Sequence, residues 1–383
     1  MKTVINFTRF MMILFIMLTS GCTSPTAIPT IMPTVAPAVT STPTAVPTPT
    51  VSAVSLAPGI DAYLTKLAEQ DRFSGSVLVA TDGEILLEKG YGLANVEPKI
   101  PNIPQTKFRI GSVTKQFIAM AILQLQEQGK LYMQDLICRY IPDCPSKWRV
   151  ITIHHLLTHT SGIPEFGNAP GILEEAKNPI TPAQTIDHFR NLPLDFEPGE
   201  RWSYSNSGYV LLGSIIEKVT GQPYSAYLQE SILAPLHMEN TGVENDQTSL
   251  TDHAVGYYDK NTVSDFVDVS WLYARGDLYS TVGDLYVWDQ ALYTERLLST
   301  SMREMMFKSY APIQPPDLGY GYGWIVGKRF NRLWIHHTGE VPGFVSEIDR
   351  CPGEKVLIVV LSNREDTHVE DIVSQVSMKV FAP

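Results

Sequence analysis

The sequence predicts a mixed α/β (α+β) fold: an antiparallel sheet flanked by helices, with a second, mostly helical lobe. Three observations carry this reading. Strand patterns cluster at both ends of residues 59–383. Helical patterns and loops rich in Pro and Gly fill about 131–293 between them. The roughly 325 residues involved are near the size at which one hydrophobic core splits. A sheet closed by the two ends of the chain sets the helical middle to one side and leaves a cleft between the lobes, where a site is expected.

The elements follow in order. Ser74–Ala80, the turn pair Asp82-Gly83 and Glu84–Tyr91 read as a β-hairpin. Ser112–Gln128 reads as a long helix, with Phe117, Ala121 and Leu125 on one face and Gly129 as its stop. Ser207–Val219 is a second helix, closed by Gly221 and Pro223, and Thr281–Tyr293 a third. Strands return at Tyr322–Val326, Arg332–His337, Phe344–Asp349 and Lys355–Leu361, and a last helix starts near His368. Gly319, Gly321 and Gly323 do not make a dinucleotide loop, because no helix follows them.

Composition removes several functions. The chain is 44% hydrophobic and 18% charged, which excludes a wholly disordered protein, a collagen and a coiled coil. Lys and Arg total 29 against 40 Asp and Glu, a formal charge of -11. Without a basic block, nucleic acid is not an expected partner, since a phosphate backbone must be met by cations. Four cysteines in 383 residues exclude a disulfide scaffold.

An export signal precedes the globular part. Lys2 and Arg9 make a positive start, and Phe10–Leu18 is an unbroken apolar run. Nine helical residues span roughly 14 Å, half of a ~30 Å hydrocarbon core, so the run is a signal-peptide core and too short to span. Leu18-Thr19-Ser20-Gly21-Cys22 resembles a bacterial lipoprotein cleavage box, with Thr19 where Leu is usual. That resemblance implies loss of residues 1–21, a lipid on Cys22, and a protein held to a membrane at the cell surface or on the periplasmic side. Residues 23–58 hold eight Pro and nine Thr and no charged or aromatic residue. Such a segment buries too little apolar surface to offset its ordering entropy, and 22–58 is expected to be an extended tether.

Three local patterns carry chemistry. Ser112-Val-Thr-Lys115 is an S-x-x-K that follows Gly111 and opens a helix, so Lys115 lies one turn along on the same face as Ser112. A Ser hydroxyl needs an adjacent base, and burial can lower a Lys pKa enough to supply one. The plainer alternative is a capping Ser with a surface Lys. Tyr204-Ser205-Asn206 stands just before a helix. A Tyr near a Lys can shuttle a proton and an Asn amide can hold a carbonyl; a packed Tyr and an N-capping Asn are the alternative. His336-His337-Thr338-Gly339 ends a strand, and a backbone N–H there could join that of Ser112 in an oxyanion hole. No G-x-S-x-G, H-E-x-x-H, C-x-x-C or Walker A pattern is present.

In this order the three patterns resemble the serine β-lactamase and penicillin-binding-protein superfamily. The Tyr-x-Asn form looks like its branch of class C β-lactamases, family VIII-type esterases and D-aminopeptidases. The resemblance covers roughly 60–370 and includes Leu156–Pro164 (LLTHTSGIP), Phe196–Asn206 (FEPGERWSYSN), Gly208–Gly213 (GYVLLG) and Leu278–Asp284 (LYSTVGD). It implies a β-lactamase/transpeptidase-like fold with Ser112 as acyl-enzyme nucleophile and Lys115 as its base or tuning charge. It also implies that Tyr204 carries protons to the leaving group and helps activate the deacylating water. Asn206, His337, Thr338, Gly339 and Glu340 would bind substrate, the N–H of Glu340 completing the oxyanion hole with that of Ser112. No metal or organic cofactor is implied.

The expected protein is an exported serine hydrolase, monomeric, acting on esters, amides, β-lactam-like compounds or D-amino-acid peptides of peptidoglycan type. The alternative from another class is a cell-wall binder or acylation sensor that does not turn over. His337 stands where β-lactamases and transpeptidases usually carry Lys, which removes a fixed cation from the place of a substrate carboxylate. His155 and His159, at i and i+4, could chelate zinc, but Leu156 replaces the Glu of a metalloprotease. Trp202, Trp271, Tyr273 and Trp324 either line the cleft or fill the core. Cys138 and Cys144 either pair or lie as small buried apolar residues, and Cys351 stays free.

Overall fold

The computed structural model describes residues 53–168, 171–245, 252–314 and 317–381. The export signal, Cys22 and the tether up to residue 52 lie outside the described residues. Residues 53–58, expected in the tether, already belong to a helix, α1 (Ala53–Glu69). Its buried stripe of Ile60, Leu64 and Leu67 holds it to the sheet, and a composition dominated by Pro and Thr conceals that anchor.

The sheet has eight strands: β1 (Gly75–Thr81), β2 (Glu84–Tyr91), β3 (Ala311–Ile313), β4 (Leu318–Tyr320), β5 (Ile325–Arg329), β6 (Arg332–Val341), β7 (Phe344–Cys351) and β8 (Val356–Ser362). Their order is β2-β1-β8-β7-β6-β5-β4-β3, and every neighbouring pair is antiparallel. The two ends of the chain meet where β1 pairs with β8, in the register Gly75↔Ser362 to Ala80↔Leu357.

Alternation along the strands builds two cores. Val77, Val79, Val345, Ile358 and Val360 face α1 and the last helix, α5 (Val369–Phe381). Leu78, Ala80, Ile348, Leu357, Val359 and Leu361 face the other way, onto α2 (Thr114–Glu127), α3 (Asn206–Thr220) and α4 (Val282–Ala291). The helical middle shares its core with the sheet's inner face, and a second core lies on the outer face.

Helix α2 lies in the centre of that inner core. Thr114 to Leu125 are all buried, and each buried Ile, Leu, Phe or Met adds roughly 1.5–3 kcal/mol. A turn of 3-10 helix, Gly111–Val113, precedes it, so Ser112 sits in this turn and not in the first α-helical turn. Gly111 has φ +51°, and a Cβ there would stand 2.7 Å from the Glu340 nitrogen. Strand β6 thus presses directly on the turn that carries Ser112. Beyond His336, which pairs with Ile325, β6 has no β5 neighbour and keeps only β7. The expected strand Tyr322–Val326 begins later, at Ile325, because Tyr322 closes a loop after β4 by donating its N–H to Met306 O.

Trp271, Tyr273 and Trp324 are buried core residues, and only Trp202 of the four aromatics remains partly exposed beside the motif residues. No helix among the described residues is long and apolar enough to cross a membrane. Cys138 and Cys144 form a disulfide, with Cα atoms 5.2 Å apart, and Cys351 is free and buried. Closing so small a loop contributes roughly 2 kcal/mol by the chain-entropy model. Cys138→Ser should lower the unfolding free energy by about that amount. In denatured, unreduced protein, peptide mapping should find Cys351 alkylated and Cys138 and Cys144 protected.

Candidate active site

Three segments meet at one amine. Lys115 Nζ lies 2.9 Å from Ser112 Oγ, 2.8 Å from Asn206 Oδ1 and 2.8 Å from the carbonyl oxygen of Arg275. Tyr204 Oη lies 2.6 Å from the same Ser112 Oγ. Ser112, Tyr204 and Asn206 are partly exposed, whereas Lys115 is wholly buried. The hydroxyl can meet a substrate while its neighbouring amine stays dry.

Burial pushes the Lys115 amine well below the usual lysine range, and the charge of Arg275 adds to this, against Glu165 and Asp277. Burial pushes the Tyr204 phenol up, against the bond to Ser112. The amine is thus biased to be neutral and the phenol to hold its proton. A neutral amine has two N–H groups, for Asn206 Oδ1 and Arg275 O, and one lone pair, which faces Ser112.

The match to the β-lactamase family model spans residues 60–377. The chain belongs to the β-lactamase family. A penicillin-binding protein of Bacillus subtilis (strain 168) is 32% identical over 327 residues, which are 80% of this chain and 72% of that one. The solved octameric penicillin-binding protein homologue from Pyrococcus abyssi is 31% identical, with a TM-score of 0.76 over 84% of this chain and 76% of that one. The D-amino acid amidase of Ochrobactrum anthropi SV3, solved with D-phenylalanine, is 27% identical, with a TM-score of 0.76 over 85% and 99%.

In this β-lactamase-family chain the third motif lies along the open part of β6. The Glu340 nitrogen and Gly339 stand against Gly111 and Ile110, beside Ser112. His337 is 3% exposed. Its Nδ1 is 2.6 Å from the Thr338 carbonyl oxygen and its Nε2 2.8 Å from Tyr320 Oη. A carbonyl only accepts, so Nδ1 carries the hydrogen and Nε2 accepts from the tyrosine. Burial lowers the imidazole to about 3. His337 is therefore neutral and already paired. Thr338 alternates to the opposite face of β6, as Trp334 in the outer core shows, so at this position the main chain is what faces the cleft.

The two histidines weighed as a zinc pair do not form one. Thr152 N–H donates to His155 Nδ1 at a helix start, and Ser205 N–H donates to His159 Nδ1. His159 packs its ring 4.4 Å from that of Tyr204 and 4.6 Å from Tyr320, so it holds the tyrosine in place.

Sequence reasoning missed Glu165, one residue past the string Leu156–Pro164. Its carboxylate accepts the N–H of Asn206, the first residue of α3, and lies 3.3 Å from Asn206 Nδ2. Gly167 N–H also donates to it, at 3.0 Å. A carboxylate only accepts, so it turns the Asn206 NH2 toward itself and the amide oxygen toward Lys115. An acidic residue beside the Leu156–Pro164 string was the only local signal. Glu165→Ala should free that amide and slow phosphonylation of Ser112 by a fluorophosphonate about tenfold, or ~1.4 kcal/mol. Losing the negative charge lowers the Lys115 pKa further, so the rising limb of the pH–rate profile should move to lower pH. A limb that stays in place would show that Glu165 does not act on the amine.

Proposed function

We propose that this protein is a serine hydrolase that forms an acyl-enzyme on Ser112 and releases it with water. The observation that carries this reading is one hydroxyl held between a neutral-biased amine at 2.9 Å and a protonated phenol at 2.6 Å. In acylation the Ser112 proton passes to Lys115 as Oγ bonds to the substrate carbonyl carbon, and Tyr204 gives its proton to the leaving group. The ammonium and phenolate so formed stabilise one another across the site. In deacylation water returns a proton to Tyr204 as it attacks the ester, and Lys115 returns one to the departing Oγ. The N–H groups of Ser112 and Glu340 supply the oxyanion hole, and Asn206 orients the acyl group.

The substrates we favour are carboxylate-free esters and amides of acyl or D-amino-acid type. The open edge of β6 offers main-chain groups to an amide, and a chain of the same fold is a D-amino acid amidase. With His337 neutral and buried against Tyr320, a carboxylate-bearing β-lactam would meet no cation where one serves it elsewhere. A charge-assisted hydrogen bond of that kind contributes about 1.5–3 kcal/mol. A panel of a p-nitrophenyl short-chain ester, a D-amino-acid amide and a chromogenic cephalosporin tests this. Turnover in kcat/KM should favour the ester and amide by about tenfold or more at pH 7. Ser112→Ala should abolish every activity and the single fluorophosphonate adduct. His337→Lys should raise cephalosporin acylation more than ester hydrolysis. Faster cephalosporin turnover by the native protein would reject the charge argument, and one acylation event without turnover would mark a sensor.

We further propose that the protein is exported and anchored through a lipid on Cys22, as the residues around that cysteine suggest. In a bacterial host the full chain should partition into detergent, and Cys22→Ser should release it. Equal partitioning would remove the anchor. The expected monomer has a counter-example in the octameric homologue from Pyrococcus abyssi, and sedimentation would decide the assembly of this chain.

A further inference from the structure

On the face of β6 opposite His337, three polar side chains meet inside the outer core. His336 on β6 pairs in register with Asp349 on β7, and Glu347 lies two residues along the same strand face. One donor atom from each falls within 4.8 Å of the others. His336 Nδ1 and Glu347 Oε1 are 3.4 Å apart. Glu347 and Asp349 are 1% and 0% exposed. Around them stand Trp334, Val345, Val373 and Val376 of the cluster shared with α5.

These groups are poorly served by the protein. Among the described residues, His336 Nδ1, both Glu347 carboxyl oxygens and Asp349 Oδ1 have no well-aligned hydrogen-bond partner, although Glu347 and Asp349 approach each other and Trp334 approaches Asp349. Arg329 reaches only the other Asp349 oxygen, at 3.1 Å. Two carboxyl groups thus face one guanidinium in a dry environment, where burial disfavours the charged form of each unless a further cation joins them. Such a cluster wants one more positive charge, and its free donor atoms converge. Glu340 and Glu370, both exposed, lie close enough to affect one another electrostatically, and Glu370 likewise bears on Glu347. They place further negative charge at the edge of the cluster.

We propose that His336, Glu347 and Asp349 hold a divalent transition-metal ion, zinc by preference, between the sheet and α5. The donor set selects the ion. Calcium and magnesium prefer all-oxygen shells of six or more ligands, whereas one imidazole nitrogen with two carboxylates suits zinc. Donors around tetrahedral zinc stand ~3.4 Å apart. The His336–Glu347 pair already has that spacing, and no other pair needs to draw in by more than about 1.4 Å. The His336 side chain is 16% exposed, and the three side chains leave the fourth position of a tetrahedral ion to another ligand. The ion would be structural: it would tie β6 to β7 directly behind the segment that carries His337 to Glu340.

The test uses the untagged full chain, stripped with EDTA and titrated with zinc, cobalt, magnesium or calcium. Zinc should bind one ion per chain by calorimetry and raise Tm by several degrees, and calcium and magnesium should do neither. Cobalt should give the visible absorption of a low-coordinate nitrogen–oxygen site, a measurement on the native chain that needs no variant. His336→Ala and Glu347→Gln should each weaken zinc binding on the order of a hundredfold. No binding and no Tm shift in the native chain would overturn the proposal. So would binding that persists in His336→Ala, which would place the ion on other histidines. A Glu347→Gln chain that gains stability while native protein ignores zinc would also overturn it, because the two carboxyls would then share a proton instead of an ion.

Discussion

The site depends on keeping one amine dry. Lys115 can present a lone pair to Ser112 only because α2 is buried on every side, and three oxygens from three separate segments replace the water it has lost. Those oxygens define its neighbours. Asn206 must start α3 at this point, the Arg275 carbonyl must turn inward, and the turn before α2 must pass under β6. Gly323 shows how tight the packing is: with φ +76°, a Cβ there would stand 2.7 Å from the Lys115 carbonyl oxygen. A solvated Lys at the same spacing would be an ammonium near pH 7, and the hydroxyl beside it would stay inert.

Local patterns were the legible part of this chain. The Ser112–Lys115 helix, the Tyr204–Asn206 turn and the hairpin of β1 and β2 each announce themselves within a few residues, because periodicity and turn chemistry are short-range. Closure of the sheet by both chain ends followed from where the strands lay. The failures have long-range causes. Glu165 acts on a residue 41 positions away, which no spacing rule reaches. Strand β6 runs on through Thr338-Gly339-Glu340 to Val341 because β7 pairs with it throughout, although Thr-Gly-Glu has no strand pattern of its own. Length alone suggests a division of the core but not its plane, which alternation along the strands sets. The disulfide stayed undecided because a spacing of six positions between cysteines permits a bond without requiring one.

Adjacent residues of β6 serve opposite surfaces, and the strand's period of two separates them completely. His337 lies among Tyr320, His159 and Tyr204, where every imidazole is desolvated and uncharged. His336 lies among carboxylates. The same side chain is used as a neutral spacer on one side and as a nitrogen among carboxyl groups on the other. The difference comes from the neighbours that register supplies and not from the residue.

The seam between β1 and β8 also sets the order in which the molecule can be assembled. Ser362 Oγ donates to the carbonyl of Ser74 across 288 positions of chain, and β1 has its inner neighbour only when β8 is in place. The hairpin of β1 and β2 can form early, but alone it exposes two apolar faces. Four-fifths of the domain must be threaded between the two sides of one hydrogen-bonded ladder before the sheet exists. Loop-closure entropy and a high contact order make such a ladder slow to nucleate. A chain that stops before β8 lacks the middle of its sheet, so incomplete copies are left with an open, sticky edge for quality control to find.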